Sequence, residues 1–161
     1  MSPFTGRAIG LAFAALWLFL GAVALPLPWR YLAGALGLAA ILLLGVRAWR
    51  MNERRTGLFD MRRYRLSVAL EFGAIALAGF LLDRVGLGGY LIPVVGIIVG
   101  LHFVGLWWAG GGPQYLRLAG IMTAIDAGAL LLPPGSRAMQ AAAGLGSAAA
   151  LAMIAGTGAR R

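Results

Sequence analysis

The sequence predicts an all-α integral membrane protein, a bundle of six transmembrane helices with both termini in the cytoplasm. Hydrophobic residues make up 61% of the 161 residues and charged residues only 12%, whereas about a quarter of an ordinary soluble domain is charged. Six apolar stretches each approach the length of about 20 residues that crosses a bilayer as a helix. The arginines are also shared unequally between the connections of these stretches. All three observations favour hydrocarbon over water as the surrounding solvent.

Short connections separate most of the predicted spans, and each carries residues that break helices. Prolines or glycine–proline runs follow the first, fourth and fifth spans. The first apolar run, from Ala8 to Leu25, exceeds the usual length of a signal-peptide core, so we expect this span to be retained. Little length is left for a soluble domain, which predicts one transmembrane domain over residues 1–161. The spans are expected at 7–25, 29–49, 64–82, 89–108, 115–132 and 137–156, with a basic cytoplasmic loop at 50–63.

The placement of charge predicts which side of the membrane each connection faces. All 14 basic residues are arginines, and with the loop after span two in the cytoplasm, eleven fall on that side and three on the other. Such a bias is typical of cytoplasmic connections, and basic residues near anionic headgroups also anchor a protein to lipid. We therefore predict membrane lipid, not nucleic acid, as the partner of this cluster, although a specific acidic partner stays open. The cluster comprises Arg47, Arg50, Arg54, Arg55, Arg62, Arg63 and Arg65.

Glu71 and His102 are the first pair of ionisable residues that the spans would bury. The short connection between spans three and four makes these spans antiparallel neighbours. Glu71 lies fifteen residues before Gly86 and His102 sixteen residues after it, so the constant rise of a helix brings them to nearly the same depth. Because an unpaired charge in a membrane is costly, we expect the two side chains to pair. The pair would serve either as a structural clamp or as a proton carrier or ligand.

Asp126 is the second intramembrane candidate, near the middle of span five. Thr123 precedes it by three residues and shares its helix face. Protonation, a hydrogen bond to the backbone or an arginine from a neighbouring helix would each relieve the cost of burying this carboxyl. A polar line from Glu71 and His102 through Asp126 requires spans three and five to be neighbours, which the sequence does not fix.

Small residues at four-residue spacing predict where the helices pack closely. Lipid tails are as apolar as leucine, so helices associate in a bilayer largely through close backbone approach. The faces formed in this way join spans of one chain, a second copy or a different subunit. The residues are Gly96 and Gly100 in span four, and Gly120, Ala124 and Gly128 in span five.

The stretch Gly100-Leu101-His102-Phe103, with Glu71 one span earlier, resembles a pattern in small bacterial multi-pass membrane proteins. The resemblance covers spans three and four, about a third of the chain. It implies a bacterial inner (plasma) membrane protein, and no activity comes with it.

Several functions are weighed against the residues that each would require. A zinc hydrolase needs about three protein ligands, and a chain with one histidine and no cysteine does not supply them readily. No catalytic or metal-binding set is therefore predicted, and we expect a protein that is not an enzyme. The favoured interpretation is that the protein is an accessory or scaffold subunit of a larger membrane complex. Two alternatives stay open: a small, dimeric proton-coupled transporter or channel using Glu71 and His102, and a subunit that binds haem or bacteriochlorophyll through His102.

Overall fold

The computed structural model describes residues 3–50 and 60–157, which form an all-α protein. Over these residues the secondary structure consists of six α-helices and one short turn of 3-10 helix at Gly88–Tyr90, without strands. The all-α class predicted from the sequence is confirmed. The helices are α1 (Pro3–Val23), α2 (Trp29–Arg50), α3 (Met61–Arg84), α4 (Leu91–Trp108), α5 (Gln114–Ala129) and α6 (Arg137–Thr157).

Four segments of these helices are long and apolar enough to cross a membrane. They are Trp29–Arg47, Met61–Arg84, Gly88–Trp108 and Arg137–Ala155, and α1 adds a shorter apolar segment, Ala8–Val23. α5 differs from all of them. Its 16 residues reach about 24 Å at 1.5 Å per residue, less than the roughly 30 Å of a hydrocarbon core. The predicted span 115–132 runs past the observed helix end because Leu130–Leu132 form a turn.

The helices form an open row with α2 and α3 at its two ends. α1 packs on α6, α6 on α5, and α5 on α4, while α4 also touches α6. α2 packs on α1 and α6, and α3 packs on α4 and on the turn before it. Within the described ranges α2 and α3 do not pack on each other, although they are consecutive in sequence. Of their residues with described side chains, only Ile41 and Ser67 are buried.

The core of the bundle lies where α1 crosses α6. The two helices are antiparallel, since Gly10 faces Ala155 near one end and Gly21 faces Gly144 near the other. A side chain at Gly144 would overlap the backbone of Gly21, so glycine allows the backbones to touch. Trp17, only 3% exposed, fills the space beside this contact. The largest apolar cluster spreads from here to α4 and α5.

The two ends of the bundle differ in charge. One end holds the turns at 24–28, 85–90 and 130–136, and the Gly135 amide donates to the Gly89 carbonyl there at 3.1 Å. The opposite end holds the start of α3 and the α4–α5 turn. We call it the basic end, because it carries the exposed arginines Arg47, Arg50, Arg62, Arg63 and Arg65. Arg54 and Arg55 lie outside the described residues.

Candidate functional site

A polar cluster of Ser67, Glu71 and His102 joins α3 to α4. Glu71 Oε2 lies 3.3 Å from His102 Nδ1, and the two side chains are only 13% and 9% exposed. The pairing expected from their equal distance from the turn is therefore present. Ser67, one turn before Glu71, places its hydroxyl 3.2 Å from the same Nδ1 and 3.4 Å from the His102 carbonyl, to which it donates. We call these three residues the α3–α4 polar cluster.

The geometry of this cluster differs from that of a catalytic triad. In a Ser–His–acid triad the hydroxyl and the carboxylate contact different ring nitrogens of the histidine. Here the hydroxyl of Ser67 and the carboxylate of Glu71 both approach Nδ1. A proton cannot then pass from serine through the ring to the acid. The contacts instead hold one ring nitrogen of the imidazole against two side chains of α3.

Asp126, Ser147 and Thr123 form a second polar group, between α4, α5 and α6. Asp126 is fully buried, and its Oδ2 accepts a hydrogen bond of 2.8 Å from the Ser147 hydroxyl of α6. Asp126 Oδ1 and Thr123 Oγ1 are both buried, and neither has a hydrogen-bond partner among the described residues. We call this group the core acid site. It holds a carboxyl group whose bonding capacity is only half used.

The glycines of α4 create the space for both polar groups. A side chain at Gly96 would overlap the Asp126 carboxyl group, and one at Gly100 would come within 2.6 Å of Thr123 Oγ1. On the other side, a side chain at Gly105 would overlap the Ser67 hydroxyl. The predicted packing face at Gly96 and Gly100 thus contacts α5.

The α3–α4 polar cluster and the core acid site lie on opposite sides of α4. Among the described residues the backbones of α3 and α5 do not come into contact, because α4 lies between them. His102 follows Gly96 by six residues, which places the two groups about 9 Å apart along the helix axis. The polar line considered from the sequence would therefore have to cross α4, and no direct contact between the groups is present in the described part.

The glycine face predicted on α5 points away from the other helices of the chain. Gly120, Ala124 and Gly128 are all exposed, and a side chain at position 120 or 128 would meet nothing within 4 Å. The physical reason is that α5 turns Thr123 and Asp126 toward α4, which leaves the glycines on the outside. Packing of this face within one chain is not what the structure shows.

Arg63 has a structural role in addition to its place among the exposed arginines. Its guanidinium lies 4.9 Å from the centre of the Trp108 ring, donates to the Trp108 carbonyl at 3.3 Å and pairs with Asp60 at 3.2 Å. The Asp60 amide donates to the Ala109 carbonyl at 2.8 Å. These four residues, which we call the basic-end clasp, tie the start of α3 to the end of α4.

Sequence reasoning placed Glu71, His102 and Asp126 in the spans but missed two of their partners. Ser67 lies on the same helix face as Glu71, one turn earlier, and its contact with His102 is seen only in the structure. Ser147, which is also fully buried, was not singled out. The available signal was its position as a lone hydroxyl among alanines and glycines in the middle of α6.

In comparisons with known protein families, with curated proteins and with solved structures, no match was found. The class of this protein therefore has to be inferred from its fold and its two polar groups. Its described residues form an all-α structure with four helices that are long and apolar enough to cross a membrane. A partly buried carboxyl group, that of Glu71, and a fully buried one, that of Asp126, lie on either side of helix α4.

Proposed function

We propose that this chain is a six-span protein of the bacterial inner membrane that serves as a non-catalytic accessory or scaffold subunit. Its termini and basic end would lie in the cytoplasm, where the arginines meet anionic headgroups. The observation that carries the proposal is the openness of the helix row. α2 and α3 each bury a single described side chain, so two full-length apolar helices offer their faces to other components of the membrane.

The attachment of α3 supports this role. In the described part of the chain the backbone of α3 packs on α4 and on the turn that precedes α4, and the α3–α4 polar cluster and the basic-end clasp hold it there. Its other side is apolar and exposed, with Phe72 64% and Leu77 57% exposed. A helix held rigidly on one side and free on the other is suited to packing against a partner, since a fixed surface loses little entropy on binding.

Photo-crosslinking in native membranes tests the accessory role. A photoreactive amino acid replaces Phe72 on the outer side of α3, and, as a matched control, Trp17 in the core of α1. The exposed position is expected to form a discrete adduct with a different membrane protein, and the buried position to react only within the chain. An exposed position that yields only lipid adducts or copies of this chain contradicts the accessory role.

Proton-coupled transport is the second candidate, and the ionisable pair inside the α3–α4 polar cluster favours it. Ionisable residues within membrane helices often belong to ion or proton pathways. Purified protein in liposomes with an internal pH dye would then carry protons, and Glu71→Gln or His102→Ala would abolish the signal. Asp83→Asn, an exposed carboxylate at the end of α3, should leave it unchanged. Liposomes whose internal pH does not change contradict this candidate.

Binding of haem or bacteriochlorophyll is the third candidate. His102 engages Nδ1 with Glu71 and Ser67, and a carboxylate on one ring nitrogen commonly orients a histidine that ligates through the other. Nε2 would be the ligating atom. A visible or near-infrared band that His102→Ala removes, and that the Asp83→Asn control retains, supports this candidate. Absence of such a band from protein purified out of its native membrane contradicts it.

A further inference from the structure

Among the ionisable residues whose side chains the structure describes, Asp126 stands apart because its carboxyl is completely enclosed. None of its surface is exposed, and one hydroxyl, that of Ser147, donates to Oδ2. Oδ1 has no hydrogen-bond partner, and no cation pairs with the carboxyl among the described residues. The group thus receives one donor where an ionised carboxylate usually accepts several.

The elements packed around Asp126 supply no compensating charge. His102 is turned to α3, and the arginines of α5 and α6 are exposed at the basic end and at the first residue of α6. Tyr90, in the turn before α4, packs against the apolar cluster that contains Ala129. Tyr115 of α5 stacks on Phe103. The titratable side chains of α4, α5, α6 and the turn before α4 are Tyr90, His102, Tyr115, Arg117 and Arg137.

We infer that Asp126 is a proton-binding site that is occupied while α4 is packed on α5. A fully enclosed, ionised carboxylate with one protein donor and no counter-ion costs far more free energy than a neutral acid with one unsatisfied group. The proton resides on Oδ1, and Oδ2 is the carbonyl oxygen that Ser147 contacts. On release the O–H bond breaks, its electron pair stays on Oδ1 and the proton leaves to water.

Gly96 links proton release to helix packing. The carboxyl group lies directly against the backbone of Gly96, where even a methyl group would overlap both of its oxygens. The packed bundle leaves no surface of the carboxyl exposed, and separation of α4 from α5 would give water access to an ionised Oδ1. Because proton binding then stabilises the packed state alone, raising the pH shifts the population toward the separated state. This inference does not depend on which proposed function is correct.

Infrared spectroscopy of the full chain in lipid vesicles at neutral pH tests the occupied site. A carbonyl band of a protonated acid is expected that Asp126→Asn removes and that the exposed control Asp83→Asn retains. Ser147→Ala should move this band to higher frequency, because the carbonyl oxygen loses its hydrogen bond. An Asp126 signal of carboxylate at neutral pH overturns the inference. If Asp126→Asn does not fold, the Ser147→Ala shift decides.

Thiol labelling tests the link to packing, since the chain contains no cysteine. A thiol introduced by Val99→Cys, at a buried position of α4, reports the separation. A thiol introduced by Leu87→Cys, at an exposed position of the turn before α4, corrects for thiol ionisation. The ratio of their labelling rates is expected to rise by up to roughly tenfold per pH unit once release begins. A flat ratio, or an equal rise in the Asp126→Asn background, overturns the link. Protection that depends on Na⁺ or Li⁺ and on Asp126 overturns the proton site in favour of a cation site.

Discussion

Individual residues of α4 are matched to two different neighbours. Gly96 and Gly100 admit the polar side chains of α5, whereas His102 meets the polar side chains of α3. The division follows from helix geometry, because six residues rotate a side chain by about 240° around the axis. One helix can therefore hold a polar contact on each of two sides without placing the two contacts in communication.

The contact of Glu71 with His102 predicts a measurable coupling. Hydrogen bonds between membrane helices contribute on average about 0.6 and at most about 1.7 kcal/mol, so we expect a coupling of about 0.5–2 kcal/mol between Glu71→Gln and His102→Asn. Reversible unfolding in mixed detergent micelles measures it. The control cycle pairs Glu71→Gln with Ser147→Ala, across α4, and should be additive. Additivity in the test cycle as well contradicts the clamp.

The close approach of α1 and α6 predicts a sharp difference between two glycines. Gly144→Ala drives a methyl group into the backbone of Gly21 and should lower the free energy of unfolding by about 1–3 kcal/mol. Gly34→Ala in α2 meets nothing within 4 Å and should be neutral or stabilising by up to about 1 kcal/mol. Thermal unfolding in detergent compares the two variants. Equal effects would contradict the packing described for the core.

The carboxyl groups of Glu71 and Asp126 also show how far the sequence could locate a site. The pairing of Glu71 with His102 was predictable because a short turn connects α3 to α4. Counting residues from this turn gives the depth of each side chain along its helix. The same counting fails for Asp126 and Ser147. Asp126 lies three residues before the end of α5, while Ser147 lies ten residues after the start of α6. Their contact depends on the three-dimensional levels of the helix ends, which no sequence pattern records.

At the scale of the helices, α3 begins with a well-defined cap. Asp60 accepts hydrogen bonds from the amides of Arg62 and Arg63 at 2.9 and 3.2 Å, which satisfies two of the unpaired donors at a helix start. Its own amide joins the α4–α5 turn. The cap and the basic-end clasp therefore anchor the same end of α3.

Removal of the cap should loosen this end of α3. Asp60→Ala is expected to cost about 1 kcal/mol, within a range of about 0.5–2 kcal/mol, and to raise amide hydrogen exchange over the first turn of α3. Asp83→Asn, at the opposite end of the helix, serves as the control. Unchanged exchange around Arg62 and Arg63 would show that the cap contributes nothing.

α5 is the element that the sequence described least well. Hydropathy predicted a full span over 115–132, but the helix covers Gln114–Ala129 and is the shortest of the six in the described residues. The predicted span ended too late because Leu130–Leu132 are apolar like the residues of the helix, although the backbone has already turned there. The helices that contact α5 were likewise not predictable. A short helix that contains an aspartate and an arginine depends on packing against its neighbours, and the sequence does not show which helices these are.

The whole molecule is an open row of helices. Within the described chain, no helix covers the outer sides of α2 and α3 or the glycine face of α5. If the accessory role holds, that glycine face is a second surface on which a partner helix would pack. Gly120→Leu should then weaken co-purification of the partner but leave the unfolding of the isolated chain nearly unchanged, because nothing lies within 4 Å of this position. Leu131→Ala, at an 88% exposed position beyond α5, is the control. Undiminished co-purification would remove the face from the interface.

The insertion of this row across a membrane, with its basic end inside the cell, is the claim on which the rest depends. A membrane-impermeant thiol reagent on intact cells measures it directly, because single cysteines can be introduced into a chain that has none. The thiol of Leu87→Cys, in the turn before α4, should react from outside, and that of Met61→Cys, at the start of α3, only after the membrane is opened. The reverse pattern, or reaction at both positions in intact cells, would contradict the account.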